Sequence, residues 1–284
     1  MQPASEVSQL RVADGSPVSL VPASPAISFL ALQYAARWRD DRPGQTYRRL
    51  YQFNSVPRSP AHQRSLGDPV ALRQQLISAA GLDRTDAAAD DYRLGRGGTG
   101  SWLSWLNSEA RGGSTIAGTR KVYVTVAIDQ LPAVLRAVFR VARDATVPVL
   151  KFGADYANLR RPDRIVFYTR DWGHAKAVAD ALRPVLCGIP ATELAFAECL
   201  YTAVYTGLDP PPPASPGAVS WRGWVCRMLA DALDSVAEPD PGAAVEVALR
   251  RCRDSGIDPD RWAVPDSFFA DQPGASPAAI AGGG

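Results

Sequence analysis

Lys121, Lys151 and Lys176 are the only lysines in a chain that carries twenty-eight arginines. A buried lysine amine gives up its proton far more readily than a guanidinium, so lysines retained against this bias are candidates for a proton-abstracting base. Lys121 opens the segment KVYVTVAI and Lys151 closes VPVLKFG, both apolar and β-patterned, whereas Lys176 falls in a helical pattern. Side chains alternate along a strand, which places Lys121 and Tyr123 on one face. Asp155, Arg160, Arg161 and Arg164 follow Lys151 through GADYANLRRPDR, and Tyr168 lies in the next β-patterned run. If the three strands are neighbours, Lys121, Tyr123, Lys151, Tyr168 and the arginines converge. Such a cluster binds a phosphate dianion through arginine forks and lowers the pKa of a crowded lysine, which suits abstraction of a weakly acidic proton. Two plainer readings compete. Codon drift leaves three lysines without a role, and Arg160, Arg161 and Arg164 merely pair with Asp155 and Asp163 across a surface loop.

Other chemistries fit less well. The glycine-rich stretches LGRGGTG and ARGGSTIAGTR lack the strand-before, GK[ST]-after context of a phosphate loop and read as turns or a lid. Cys187, Cys199, Cys226 and Cys252 form no CxxC, and with only His62 and His174 available they read as buried thiols rather than zinc ligands. Cys187 lies beyond the far end of the helix that His174 precedes, which argues against a paired thiol and imidazole. A net charge of +2 without a long basic run argues against nucleic-acid binding. No signal peptide and no bilayer-length apolar run are apparent, so the expected setting is a reducing cytoplasm.

The elements that must position these residues are legible in part. Residues 1–25 are rich in Ser, Pro and Ala and read as a flexible N-terminus, and residues 271–284 as a disordered tail. Residues 26–51 are apolar at helical spacing until Pro43-Gly44, and Asp68-Pro69 signals a helix running through Ala80 to Gly81. Strands are expected over 121–128, 147–152 and 164–169, the second at a sheet edge because of Pro148. Helices are expected over 131–143 and from 175 to about 183, where Pro184 should end or kink the second. LGRGGTGSWLSW reads as a loop, and the apolar, tryptophan-rich stretch Ser101 to Leu106 at its end as a seat for a peptide. Asp209 and Pro210 to Pro213 form a stiff connection into helices from Ser220 and over 243–253. The fold class is α+β: a mainly antiparallel sheet with helices packed on one face, plus N- and C-terminal helical segments. Residues 26–270 form a single domain with a helical part at 26–91, a sheet part at 92–208 and a second helical part at 209–270.

KVYVTVAI, VLKFGADYANLRRPDRIVFYT and the GLDPPPP segment leading into SWRGWVCRMLADAL resemble the HopA-type effector family of plant-pathogen type III secretion. Relatives of that family stand in gene clusters for class V lanthipeptides and thioviridamide-like thioamitides. A weaker likeness runs to the phosphothreonine lyases. The resemblance implies a phosphoserine or phosphothreonine lyase, free of metal and organic cofactor. It would act on a ribosomally made precursor peptide after phosphorylation by a kinase-like partner, giving dehydroalanine or dehydrobutyrine. Lys151 would be the general base. Tyr123 stands where the lyases carry an acidic histidine, a departure that leaves it as acid or as phosphate ligand. Lys121, Arg160, Arg161, Arg164, Tyr168 and Arg222 are implied in phosphate binding. The alternatives are a non-catalytic module that scaffolds the kinase or holds the leader peptide, and a secreted effector acting on host signalling.

Overall fold

The computed structural model describes residues 24–39, 42–82, 92–94, 102–107, 120–210, 220–237 and 240–269. The expectations for residues 1–23, for the glycine-rich stretches at 95–101 and 108–119, for most of the proline run and for the C-terminal tail lie outside them. Among the described residues seven strands form one antiparallel sheet: β1 (Tyr92–Leu94), β2 (Trp102–Asn107), β3 (Arg120–Val124), β4 (Val149–Gly153), β5 (Ile165–Thr169), β6 (Glu198–Tyr201) and β7 (Val204–Leu208). They lie in the order β1-β2-β4-β5-β3-β7-β6. The helices are α1 (Ser24–Arg37), α2 (Gln45–Tyr51), α3 (Pro60–Leu66), α4 (Pro69–Ala80), α5 (Leu131–Asp144), α6 (Tyr156–Leu159), α7 (Trp172–Leu186), α8 (Trp221–Asp234) and α9 (Pro241–Asp254). This is the α+β class that the strand and helix patterns predict.

Local chemistry sets the helix ends. Asp68 accepts hydrogen bonds from the backbone N–H groups of Val70 and Ala71 at 2.9 and 3.1 Å, Pro69 fills the first turn, and Gly81 closes α4 at φ 78°. Asp171, Ser220 and Asp240 cap α7, α8 and α9 in the same way.

One face of the sheet carries Leu103, Trp105, Val122, Val124, Leu150, Phe152, Ile165 and Phe167 into a core with α5 and α7, and α4 lies against α5. Burying each such aliphatic chain contributes about 1.5–3 kcal/mol, which fixes the strand registers against slippage. The terminal helices α1, α2, α8 and α9 form a second core that reaches the sheet at β7. Here Gly207 is required by contact: a Cβ on it would lie 2.3 Å from Cδ1 of Trp221, the first residue of α8. The opposite sheet face is left for Trp102, Lys121, Tyr123, Lys151, Val166, Tyr168 and Tyr205.

Four expectations need correction. Residues 102–106 belong to a strand, β2, in which Leu103 and Trp105 are core residues, so the seat that the tryptophans suggest is half consumed by the sheet. β4 is interior between β2 and β5; Pro148 precedes it, and its carbonyl accepts from the backbone N–H of Asn107. The strand from Lys121 stops at Val124 and gives way to a short 3-10 turn at Ile128–Gln130. Pro184 lies inside α7, in the last turn, where few further backbone bonds depend on it. No helix among the described residues is long and apolar enough to cross a membrane.

Candidate functional site

Residues directly opposite one another in an antiparallel sheet share a face, and the register lines up a row across it. Ser104, Lys151, Val166, Tyr123, Tyr205 and Cys199 face one another on β2, β4, β5, β3, β7 and β6. Lys121 lies two residues along β3 from Tyr123, opposite Tyr168 and Gly207. With strands about 4.8 Å apart and residues about 3.3 Å apart, the backbones of Lys121 and Lys151 stand roughly 12 Å from each other. Their long side chains extend from the same surface.

Aromatic rings lie against the cations of this face. Lys151 Nζ lies 4.5 Å from the centroid of the Trp102 ring, and Arg161 Cζ lies 5.2 Å from the same centroid. Lys121 Nζ lies 4.5 Å from the Tyr168 ring. Tyr51, at the end of α2, has Arg161 4.9 Å and Arg222 5.0 Å from its ring. Such contacts stabilise a cation by about 0.5–2 kcal/mol without neutralising it.

Two carboxylates organise the group. Asp163 is buried and accepts two hydrogen bonds from Arg161, at 2.8 and 2.7 Å, and one from Arg222 Nη1 at 2.8 Å. Burial pushes its carboxyl up, but the two guanidiniums hold it well below the usual carboxylate range. Arg222, itself buried, also donates to the carbonyls of Ala195 and Tyr51, and Arg161 Nη2 donates to the Tyr51 hydroxyl at 2.6 Å. Asp209 bonds Lys121 Nζ at 2.5 Å and accepts from the Trp221 backbone N–H at 2.8 Å. Burial depresses the Lys121 ammonium, yet Asp209 and Tyr168 raise it overall, so Lys121 stays charged.

Lys151 is different. It has no carboxylate partner among the described residues, and its pKa is lowered, first by burial and then by the charges of Lys121 and Arg161. Tyr123 is shifted the other way: burial, then Asp209 and Asp163, hold its phenol well above the ordinary value, so it stays protonated. Its hydroxyl is buried and has no hydrogen-bond partner among the described residues. Lys121, Lys151, Arg161 and Arg222 against Asp163 and Asp209 leave two net positive charges while Lys151 is protonated, and one when it is not. That balance suits a dianion.

The structure thus brings together Lys121, Tyr123, Lys151, Arg161, Tyr168 and Arg222. Arg160 and Arg164 point elsewhere. Arg160 donates to the Val56 carbonyl at 2.5 Å and stacks near Tyr156. Arg164 is fully buried, donates to the carbonyls of Arg161 and Val126, and is lowered to about 10 by burial. Its Nη2 is buried without a hydrogen-bond partner among the described residues. The surface pairing weighed for these arginines is also altered: Asp163 pairs inside the protein, and Asp155 caps α6 by accepting from the Asn158 backbone N–H.

Tyr51, Trp102, Asp163 and Asp209 are the members that sequence reasoning does not assign. The remaining chemical residues have ordinary structural duties. Lys176 pairs with Asp180 one turn on, at 2.9 Å, on the exposed side of α7. His174 shares a hydrogen bond with the Ala145 carbonyl at 2.9 Å. Cys226 and Cys252 are buried and each pushed up to about 12 by burial, whereas Cys187, against the expectation of a buried thiol, is exposed.

No protein-family model matches the chain, and no curated protein matches it. Solved structures do. An effector protein from Pseudomonas syringae pv. syringae is 16% identical with a TM-score of 0.47, over 85% of this chain and 98% of the effector. One from Pseudomonas syringae pv. tomato is 14% identical with a TM-score of 0.48, over 84% of this chain and 98% of its own. The type III effector and phosphothreonine lyase OspF from Shigella flexneri is 11% identical with a TM-score of 0.34, over 63% of this chain and 88% of the effector.

Proposed function

We propose that this face eliminates phosphate from a phosphoserine or phosphothreonine residue of a peptide. The observation that carries the reading is Lys151: an amine without a carboxylate partner among the described residues, lowered by burial and by two neighbouring cations, on the same sheet face as an anion-sized excess of positive charge. Arg161 and Lys121 hold the phosphate, with Arg222 fixing Arg161 through Asp163. The neutral Lys151 amine takes the Cα proton; the C–H electron pair becomes the Cα=Cβ double bond; the Cβ–O bond breaks and its electrons leave with phosphate. Cations near the substrate carbonyl lower the cost of the enolate-like charge that develops. Tyr123, protonated throughout, donates a hydrogen bond to the departing phosphate once that oxygen reaches it. The product is dehydroalanine or dehydrobutyrine. In the setting that the sequence resemblance implies, the peptide is a ribosomally made lanthipeptide or thioamitide precursor phosphorylated by a kinase-like partner.

The test is phosphate release and dehydration of a synthetic phosphoserine peptide, followed by phosphorus NMR and mass spectrometry. Lys151→Ala should slow the reaction by about 10²–10⁴-fold, the usual worth of a positioned base. Lys151→Arg should not restore it, because arginine keeps its proton. Full activity in Lys151→Ala would refute the mechanism.

One observation favours the second reading, a binding module without catalysis. Lys121 and Arg161 already have carboxylate partners, as expected of a scaffold. A protein that binds the phosphopeptide but never eliminates phosphate, alone or with the kinase, would establish that reading instead.

A further inference from the structure

Tyr123 presents a difficulty that the elimination scheme does not resolve. Its hydroxyl is buried and has no hydrogen-bond partner among the described residues, although the row on which it stands leads directly to Lys151. Residues 194–197, the stretch entering β6, lie in the same layer: Leu194 and Ala197 pack in one buried cluster with Tyr123, Val166 and Tyr205. A buried phenol without a partner is rare, because the lost water is not replaced.

This stretch is itself unusual. Phe196 holds φ 61°, a left-handed conformation that a bulky residue seldom adopts, and its ring is turned away into the helical core against Trp262. Strain of this kind persists only where the surroundings enforce it. Three side chains do so. Ser28 of α1 accepts from the Phe196 N–H at 2.9 Å, Trp221 Nε1 donates to the Phe196 carbonyl at 3.0 Å, and Arg222 Nε donates to the Ala195 carbonyl at 3.1 Å. The same Arg222 guanidinium grips Asp163, the carboxylate that holds Arg161.

From these observations we propose that residues 194–197 are a strap closed over Tyr123, and that an anion engaging Arg161 loosens it through Asp163 and Arg222. An arriving phosphate competes with Asp163 for Arg161; Asp163 then draws more fully on Arg222, whose hold on the Ala195 carbonyl weakens. Phe196 relaxes, and the phenol gains an acceptor. The strap stands on its own geometry; its trigger rests on the elimination reading. It makes the leaving-group donor available only when an anion is present.

Amide hydrogen exchange of the whole protein tests the strap, with and without inorganic phosphate, beside Ser28→Ala, which removes one anchor outside the cluster. The fluorine signal of 3-fluorotyrosine at position 123, assigned by its loss in Tyr123→Phe, reports the phenol. Exchange over 194–197 should quicken by about tenfold or more relative to β3 and β5 in Ser28→Ala, and in the wild type with phosphate, as expected of a locally opening unit. The fluorine signal should gain a solvent isotope shift in both. If 194–197 exchange as slowly as β3 and β5 under both conditions, the strap is a fixed part of the fold and the proposal falls. If Ser28→Ala opens the strap while calorimetry shows no phosphate binding, the gate stands and the elimination reading falls.

Discussion

Replacing Arg161 with glutamine tests whether neighbouring charge tunes the base. Lys151 Nζ and Arg161 Cζ lie 4.5 and 5.2 Å from one Trp102 centroid, so the two charges are separated by at most the sum of those distances, about 10 Å. At an effective dielectric constant near 20, their repulsion is about 1.7 kcal/mol, or about 1.2 pKa units. Solvent ions with a screening length of about 8 Å at physiological salt reduce that to roughly half a unit or less. The sign is fixed by what remains. Asp163 keeps Arg222 and stays ionised, so removal of Arg161 raises the Lys151 pKa. The rising limb of rate against pH therefore moves to higher pH, by roughly one unit at low salt and less at physiological salt. On that limb the variant loses a further factor of about 3–10 beyond its pH-independent loss of phosphate binding. Initial rates of phosphate release from a phosphoserine peptide across neutral to alkaline pH, at two ionic strengths, would measure the shift. A limb that stays in place, or moves toward acid, would refute the electrostatic account of Lys151.

Asp163→Asn should cost about 3–5 kcal/mol of stability in urea unfolding, because it leaves the buried Arg222 and its neighbour Arg161 without a counter-charge. The native carboxyl is depressed, so its stabilisation is present above the unfolded pKa of about 3.9 and drains as pH falls through that value toward the lower folded one. Asp163→Asn should flatten that acid limb. Gly207→Ala drives a methyl into Trp221 and should lower stability by about 1–3 kcal/mol on thermal melting. Phosphate release should fall with it, because the Trp221 N–H holds the Asp209 carboxylate that pairs with Lys121. Lys176→Ala should leave phosphate release unchanged; a large drop would mean that the wrong lysines have been singled out.

Much of the frame was legible, for identifiable physical reasons. β3, β5 and α5 carry strong periodicity, Asp68 and Gly81 mark α4 chemically, and the alternation KVYV places Lys121 and Tyr123 on one face without coordinates. β2 was not legible because WLSWLN is apolar in both phases, so alternation does not separate its core side from its site side. β6 and β7 interleave polar and apolar residues in a stretch too short to average. At the site, the lysines announced themselves by scarcity. Their partners did not: Tyr51 meets Arg161 across 110 residues and Arg222 meets Asp163 across 59, separations that no local pattern encodes. Arg160 and Arg164 show the converse. Adjacency in sequence to Arg161 implied a shared purpose, yet the backbone of a tight loop sends successive side chains in different directions.

The order β4-β5-β3 keeps the two amine-bearing strands from touching, with β5 as a spacer between them. A hydrogen-bonded ladder does not stretch or slide by fractions, so the interval between the two lysine backbones acts as a ruler rather than a hinge. The two lysine stems therefore always start from the same separation, and each amine meets its own partners: Asp209 at Lys121 and the Trp102 ring at Lys151.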